Sequence, residues 1–159
     1  MNLRELGWND RCAALFAPFA ENGLVPARVV RVDRGAVTVE GERGTALASI
    51  AGRLHRDGIA GPPAVGDWVG LDLAGGAVVV RATLPRAGAL ARRRPGAPEL
   101  EQVAAANVDL VLVVDGLDRG PNPRRIERAA ALAWDAGACP VVVLTKRDLC
   151  PDLEAALAR

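Results

Sequence analysis

Hydrophobic and polar positions change their pattern along the chain, and the first two patterns predict an arm and a barrel. Residues 2–20 carry apolar side chains among polar ones, which predicts a short helical arm. From residue 24 to residue 84, short β-rich runs alternate with turn signals that contain glycine or proline. The predicted strands are Val29–Val32, Ala36–Val39, Thr45–Ala51, Trp68–Leu73 and Ala77–Leu84. Short strands at this density are typical of a small barrel, and the five-stranded oligonucleotide-binding (OB) fold is the natural candidate.

The pattern changes again after a segment rich in proline, glycine and arginine. Leu110–Val114 and Val141–Leu144 are almost purely apolar, which is typical of strands covered on both faces. Asn122 followed by Pro123 predicts the start of a helix between the two strands, because Asn caps helices and proline suits the first helical position. A strand, a helix and a second strand in this order predict a parallel β-α-β unit with a right-handed crossover.

Two more features complete the predicted helices. The helix after Pro123 is expected to end near Gly137 and to bury Trp134 on its apolar stripe. A further helix is expected to open at Pro151. The predicted fold class is therefore β followed by α/β, with an OB-type barrel and an incomplete parallel α/β domain. The predicted boundaries are an N-terminal arm at 1–23, the barrel at 24–85, a basic linker at 86–100 and the α/β part at 101–159.

Composition narrows the class of protein. Half of the 159 residues are hydrophobic, yet no apolar run approaches the roughly 18 residues that span a bilayer. No basic segment followed by an apolar stretch opens the chain, so neither a membrane protein nor a secreted one is expected. Cys12, Cys139 and Cys150 form no C-x-x-C pair, which favours reduced thiols in a cytoplasmic protein over a disulfide framework or a zinc site.

Charge is unevenly distributed along the chain. Residues 1–94 have a net charge of +4 and residues 95–159 a net charge of −3. The front half is therefore mildly suited to a polyanion and the back half is not. The run Arg92-Arg93-Arg94 could contact RNA phosphates, and a solvated linker is the alternative interpretation.

The single lysine marks the candidate site. Of 20 basic residues, 19 are arginine and only Lys146 is lysine. It lies in Thr145-Lys146-Arg147-Asp148, directly after an apolar strand, and parallel α/β sheets bind ligands at that edge. The frame [N/T]-K-x-D is the guanine-specificity motif of GTPases. An Asp148 carboxylate can accept hydrogen bonds from N1–H and the 2-amino group of guanine, while the lysine stem covers the base.

The phosphate-binding half of a nucleotide site is missing from the sequence. A Walker A loop, G-x-x-x-x-G-K-[ST], requires a lysine after glycine, but Thr145 precedes the only lysine. In an ordinary GTPase that loop comes before the guanine motif. A circularly permuted order explains a guanine motif that arrives first.

Five stretches make the chain resemble a known family, the bacterial ribosome small-subunit-dependent GTPase A family of circularly permuted GTPases. They are LGWND at 6–10, FAPFAENGLVPARVVRVDRG at 16–35, VGDWV at 65–69, EQVAAANVDLVLVVDGLD at 101–118 and RRIERAAALAWDAGACPVVVLTKRDL at 124–149. The resemblance covers nearly the whole chain. It implies an N-terminal OB-fold, then a permuted GTPase domain, then a zinc-binding extension.

The resemblance also implies a function. Members are taken to hydrolyse GTP late in maturation of the small ribosomal subunit, with that subunit and its rRNA as partners and a cytoplasmic, monomeric protein expected. Thr145, Lys146 and Asp148 match the guanine motif for GTP or GDP, with Thr where Asn is commoner. The phosphate loop and the Mg²⁺ and zinc sites would lie after residue 159, so this chain is expected to be an inactive N-terminal fragment. The alternative is a non-catalytic OB-fold module that binds RNA or the ribosome.

Three further residues have two interpretations each. Trp68 could stack on a base, although its alternating apolar neighbours favour a place in the barrel core. Asp115, at the end of the first parallel strand, could face the site or cap a turn. His55 has no catalytic constellation near it in sequence and is expected to be a surface or loop residue.

Overall fold

The chain divides into two units in a computed structural model. The structure describes residues 2–52, 54, 61–94 and 97–158, with the backbone alone at 92–94 and 97–102. The first unit comprises Met1–Ala87 and Ala91–Asn107, and the second comprises Gly88–Leu90 and Val108–Arg159. His55 and the Pro95-Gly96 dipeptide lie outside the described residues. No described helix is long and apolar enough to cross a membrane.

The first unit contains the predicted five-stranded barrel. Its strands are β1 (Val25–Asp33), β2 (Ala36–Gly41), β3 (Gly44–Ile50), β4 (Trp68–Asp72) and β5 (Val79–Thr83). They close in the order β1-β2-β3-β5-β4, and only the β3–β5 pair is parallel. The fold class predicted for this part of the chain is confirmed.

Period-two alternation forms the barrel core. In β2, Val37 and Val39 point inwards and are at most 1% exposed. Val29, Val69 and Val80 from three neighbouring strands join them in one cluster. Full burial of a valine is worth about 1.5–3 kcal/mol, so these side chains contribute a large share of the stability of the barrel.

The N-terminal arm packs against the barrel. It consists of a 3₁₀ turn, Leu3–Leu6, and helix α1, Asp10–Glu21. The Asn9 side chain caps α1 by accepting a hydrogen bond from the Cys12 amide at 3.0 Å. Leu3, Cys12 and Phe16 from the arm share a second core cluster with Trp68 and Leu84 of the barrel segment.

Trp68 lies in this second cluster and is 3% exposed. The Trp8 ring meets it edge-on, with ring centroids 4.7 Å apart, and the Arg28 guanidinium lies 5.6 Å from its ring centroid. The core interpretation of Trp68 is therefore confirmed, and stacking on a nucleic-acid base is excluded by its burial.

The segment predicted as a linker at 86–100 contains strands. β6 (Ala89–Arg94) and β7 (Ala97–Ala106) form a two-stranded sheet of their own. In the sequence, the Pro95-Gly96 dipeptide is a turn signal. The run of residues on each side of it is long enough to form a strand. Reading the whole segment by its prolines and glycines concealed that pairing.

The second unit contains the predicted β-α-β arrangement. β8 (Leu110–Gly116) and β9 (Cys139–Thr145) run parallel, in a register from Leu110 opposite Cys139 to Gly116 opposite Thr145. Helix α2 (Pro123–Asp135) lies between them in sequence. The partial parallel α/β class is thus also confirmed.

Helix α2 begins as its sequence predicts. The Asn122 side chain accepts a hydrogen bond from the Arg125 amide at 3.2 Å, and Pro123 occupies the first turn. Gly137, just beyond the helix, adopts a positive φ of 75°. The short helix α3 (Leu153–Leu157) is capped by Asp152, one residue after the predicted start at Pro151.

The prediction that Trp134 is a core residue is wrong, because its residue surface is 66% exposed. Helix α2 buries the small side chains Ala130 and Ala133 instead. Successive helical residues are rotated by about 100°, so burial of Ala133 turns Trp134 away from the buried face. The alanines allow the helix backbone to approach its neighbours closely.

Candidate functional site at the carboxyl ends of β8 and β9

An open cavity of about 710 Å³ lies where the two parallel strands of the second unit end. Thr145 at the end of β9 and Lys146 just after it line the cavity, together with Gly116 at the end of β8 and Asp118 just after that strand. The parallel register places Gly116 directly opposite Thr145, so the chain segments that follow both strands converge there. This is the edge at which open parallel sheets bind ligands.

Thr145 joins the ends of the two strands. Its hydroxyl donates a hydrogen bond to the backbone carbonyl of Asp115 at 3.2 Å. A threonine in the first position of the motif therefore fixes the loop through a hydroxyl, where an asparagine would use an amide.

Lys146 leaves the strand in a left-handed backbone conformation, with φ 59° and ψ 40°. Few residues other than glycine adopt this region, and those that do are concentrated at functional sites. The Lys146 ammonium donates a hydrogen bond to Asp118 Oδ2 at 2.8 Å. That hydrogen bond is the main cause that lowers the pKa of Asp118 below its ordinary value.

Gly116 leaves the space that this ion pair occupies. A Cβ atom at residue 116 would lie 2.5 Å from Asp118 Oδ1 and 3.6 Å from Lys146 Cδ. The first distance is far inside van der Waals contact, so a larger residue at 116 would displace the Asp118 carboxylate. The last residue of β8 is thus part of the site through its lack of a side chain.

Asp115 combines the two roles predicted for it. The residue lines the cavity and is 4% exposed. Its carboxylate accepts hydrogen bonds from the Asn122 amide at 3.0 Å and the Gly116 amide at 2.8 Å, and it forms an ion pair with Arg125. The Asn122 hydrogen bond is the largest cause that lowers the pKa of Asp115, and burial opposes it. Asp115 therefore holds the start of α2 against the end of β8.

Asp148 does not join Thr145 and Lys146 in the wall of the cavity. It lies in the 3₁₀ turn Arg147–Leu149 that follows directly, and it is exposed. The turn begins at Lys146, whose carbonyl accepts a hydrogen bond from the Leu149 amide at 3.1 Å. The structure therefore brings two of the three predicted guanine-motif residues into the cavity and leaves the third beside it.

The other predicted contact residues are described only in part. Arg92, Arg93 and Arg94 belong to strand β6, but their side chains lie outside the described residues. Their contact with RNA stays a prediction.

The residue-by-residue reading of the sequence missed part of the cavity wall. Asp118, Arg119 and Arg125 line the cavity together with Gly116, and none was named as a candidate. A signal was available, because the rule that ligands bind at the carboxyl ends of parallel strands applies to β8 as much as to β9. The Asp-Gly-Leu-Asp segment at 115–118 follows β8 just as the lysine motif follows β9.

The chain is similar in sequence to a family of GTPases. The family model described as RsgA GTPase matches residues 83–159. A relative from Syntrophotalea carbinolica, named small ribosomal subunit biogenesis GTPase RsgA, is 44% identical over 98% of this chain and 45% of its own length. A relative of the same name from Opitutus terrae is 45% identical over 99% of this chain and 46% of its own length. The chain thus spans slightly less than half of these relatives.

Two solved structures share the fold. YjeQ from Thermotoga maritima superposes with a TM-score of 0.66 at 24% identity, over 86% of this chain and 46% of that one. YloQ, described as a circularly permuted GTPase, superposes with a TM-score of 0.60 at 18% identity, over 85% of this chain and 45% of that one. The predicted resemblance to the RsgA GTPase family is confirmed by the family model and the relatives, over the part of their length that the chain spans.

Proposed function

We propose that this chain carries the guanine-recognition part of a ribosome-biogenesis GTPase that acts in late maturation of the small ribosomal subunit. The observation that carries the proposal is the convergence of Thr145, Lys146 and Asp118 on one cavity at the carboxyl ends of two parallel strands. The names of the relatives support the cellular role, and GTP or GDP is the proposed ligand.

Guanine suits the chemistry of this edge. Asp148 is exposed beside the cavity, where its carboxylate can accept hydrogen bonds from N1–H and the 2-amino group of a base. Adenine offers neither donor in that arrangement. The Lys146 stem provides an apolar surface for the face of the ring. Sites that read a polar edge in this way reject a ligand that lacks it by several orders of magnitude.

Hydrolysis needs groups beyond those found in this sequence. Residues 1–159 contain no Walker A motif, and the described residues contain no cluster of three or more His, Cys, Asp or Glu side chains that could hold a metal ion. The role proposed for these residues is therefore binding of the base rather than catalysis. We expect purified chain to hydrolyse GTP no faster than a Lys146→Ala variant.

The binding proposal is tested by titrating the 159-residue chain with GDP and with ADP and following amide chemical shifts. We expect GDP to bind and ADP not to bind, and we expect Asp148→Asn to remove the preference. Asp109→Asn is the matched control, because Asp109 is exposed at the opposite end of β8. Equal binding of both nucleotides, or a GDP preference that survives Asp148→Asn, would contradict the proposal.

A second function, a non-catalytic RNA-binding module, is favoured by the barrel. The barrel is closed and belongs to the part of the chain with a net charge of +4. In that case small-subunit or rRNA binding should be unchanged by Asp148→Asn. Alanine at Arg92, Arg93 and Arg94 should weaken RNA binding and reduce its salt dependence. RNA affinity that the triple substitution leaves unchanged would remove these arginines from the interface.

A further inference from the structure

Lys146 is fixed at its backbone end. The left-handed conformation, φ 59° and ψ 40°, sets the direction in which the side chain leaves the end of β9. A non-glycine residue persists in this region only where its surroundings hold it there. The hydrogen bond from the Leu149 amide to the Lys146 carbonyl, at 3.1 Å, closes the turn that holds it.

Lys146 is also fixed at its charged end. The ammonium lies 2.8 Å from Asp118 Oδ2, on the segment that follows the other strand. Between its two fixed ends the stem passes over the last residue of β8, since Lys146 Cδ lies 3.6 Å from the position of a Cβ at Gly116. The stem therefore crosses from one strand end to the other along the wall of the cavity.

The ion pair with Asp118 leaves the aliphatic stem of Lys146 available to a ligand. The Lys146 side chain is 53% exposed, whereas that of Asp118 is 25% exposed. A lysine that is free in solution loses rotamer freedom when a ligand rests on it, and this loss weakens binding. A lysine that is already held in one position loses less.

We infer that Asp118 is a positioning residue of the guanine site, which holds the Lys146 ammonium so that the stem forms a preformed surface for the face of the base. The inference rests on the proposed function. Asp118 makes no contact with the base and acts only through Lys146. Gly116 is required because any side chain there would displace the carboxylate.

This role predicts a particular pattern of binding. Asp118→Asn keeps the shape of the side chain and removes its charge, so the ion pair that holds the Lys146 ammonium is lost. We expect the Kd for GDP to rise about fivefold, the order expected for immobilising one flexible side chain. The preference for GDP over IDP, which lacks the 2-amino group, should be unchanged, because the edge of the base is read by Asp148. A change at Asp148 should alter that preference.

The test is a double-mutant cycle in the 159-residue chain, with GDP and IDP as the probes and amide chemical shifts as the readout. The variants are Asp118→Asn, Lys146→Ala and the combination, and Asp109→Asn is the control. The unfolding free energy of each variant is measured beside its Kd. We expect Asp118→Asn to weaken GDP binding in the wild-type background and to have no further effect in Lys146→Ala.

Two outcomes would overturn the inference while leaving the proposed function intact. One is a Kd that Asp118→Asn leaves within about twofold of the wild type, with the Asp148→Asn effect still present. The other is an equal loss of affinity in both backgrounds, which would mean that Asp118 acts without Lys146. GDP binding that Asp148→Asn leaves unchanged would instead overturn the proposed function, and this inference with it.

Discussion

Among the described residues, each unit of the chain buries one aspartate, and the two aspartates are held in different ways. Asp67, in the barrel unit, is 0% exposed, and the Arg86 guanidinium donates to both of its oxygens at 2.8 and 2.6 Å. Asp115, in the α/β unit, is 4% exposed, but its ion-pair partner Arg125 has a side chain that is 58% exposed. The Asp67–Arg86 pair is closed to solvent, and the Asp115–Arg125 pair opens on a cavity.

The difference separates an aspartate enclosed by its partners from one that lines an open cavity. Asp67 lies in the Val65-Gly66-Asp67-Trp68-Val69 stretch, one of the most recognisable parts of the sequence. The Ala64 amide also donates to it at 2.8 Å, so its oxygens are occupied from within the barrel unit. Asp115 uses backbone amides to shape a strand end whose cavity stays open. The contacts of Asp67 inside the barrel unit therefore give this distinctive stretch a structural role.

The largest loss of unfolding free energy is expected from breaking the Asp67–Arg86 ion pair. Asp67→Ala leaves Arg86 charged and mostly buried, since its side chain is 11% exposed. Removing one partner of a buried ion pair costs about 3–5 kcal/mol of unfolding free energy. The control is Arg31→Ala, which breaks the exposed pair with Asp33 and should cost less than about 1 kcal/mol. Chemical denaturation followed by tryptophan fluorescence measures both, and equal costs would contradict this ranking of the two pairs.

The next largest loss of unfolding free energy is expected from Gly66→Ala, at the residue before Asp67. Its φ is +91°, and a Cβ there would lie 2.0 Å from the Ala106 carbonyl oxygen. Gly35 has a φ of +79° with nothing within 4 Å, so Gly35→Ala reports the backbone cost alone. That cost is about 1–2 kcal/mol, and Gly66→Ala should exceed it by roughly 1–3 kcal/mol because of the clash. Equal losses of unfolding free energy in Gly66→Ala and Gly35→Ala would show that the close approach of residue 66 to Ala106 adds no cost.

A smaller loss of stability is expected when Asp115 is protonated at low pH. The pKa of Asp115 is lowered, chiefly by the Asn122 amide, so its folded-state value lies below the unfolded value of about 3.9. The stability contributed by this carboxylate is complete above the unfolded pKa and is lost as the pH falls through the folded one.

The measurement is the unfolding free energy of the wild type and of Asp115→Asn as the pH is lowered from 6 towards 3 (about the range in which aspartates titrate). The wild type should lose more stability than the variant over this range. Parallel curves for the two proteins would mean that the hydrogen bonds to Asp115 contribute nothing that depends on its charge.

The smallest effect on stability is expected at the surface of the β8–β9 pair. Leu112 and Val114 are 58% and 59% exposed on one face of β8, whereas the barrel strands close on themselves. Exposed apolar sheet surface favours association between molecules. We expect the 159-residue chain to self-associate and Leu112→Lys to reduce this without changing its unfolding free energy by more than about 0.5 kcal/mol.

Light scattering measures that association. The matched control is Leu47→Lys, which changes a leucine that is 68% exposed on the barrel. A wild-type chain that remains monomeric at high concentration would contradict the prediction.

Local patterns were sufficient to predict the main elements of both units. Buried residues such as Val37 and Val39 alternate with partly buried ones along β2, as the two-residue period of a strand predicts. The cap at Asn122 and the proline after it determine where α2 begins, and both are visible in two adjacent residues of the sequence. The guanine motif was found because it is contiguous and contains the only lysine.

Features that depend on pairing between distant segments were not predicted. The Lys146–Asp118 ion pair joins residues 28 positions apart, and it requires the register that sets Gly116 opposite Thr145. Trp134 was misplaced because a helical stripe does not say which of two adjacent residues the packing of the helix will bury. The β6–β7 sheet was missed because the prolines and glycines of residues 85–99 are typical of a linker sequence.

The central claim is that the cavity at the ends of β8 and β9 binds guanine, and amide chemical-shift mapping tests it most directly. The 159-residue chain is titrated with GDP and, separately, with ADP. GDP should shift the amides of Gly116, Asp118 and the 145–149 turn, while those of the barrel strands stay unchanged and ADP shifts neither set. Shifts confined to the barrel, or the same shifts with ADP as with GDP, would contradict the claim.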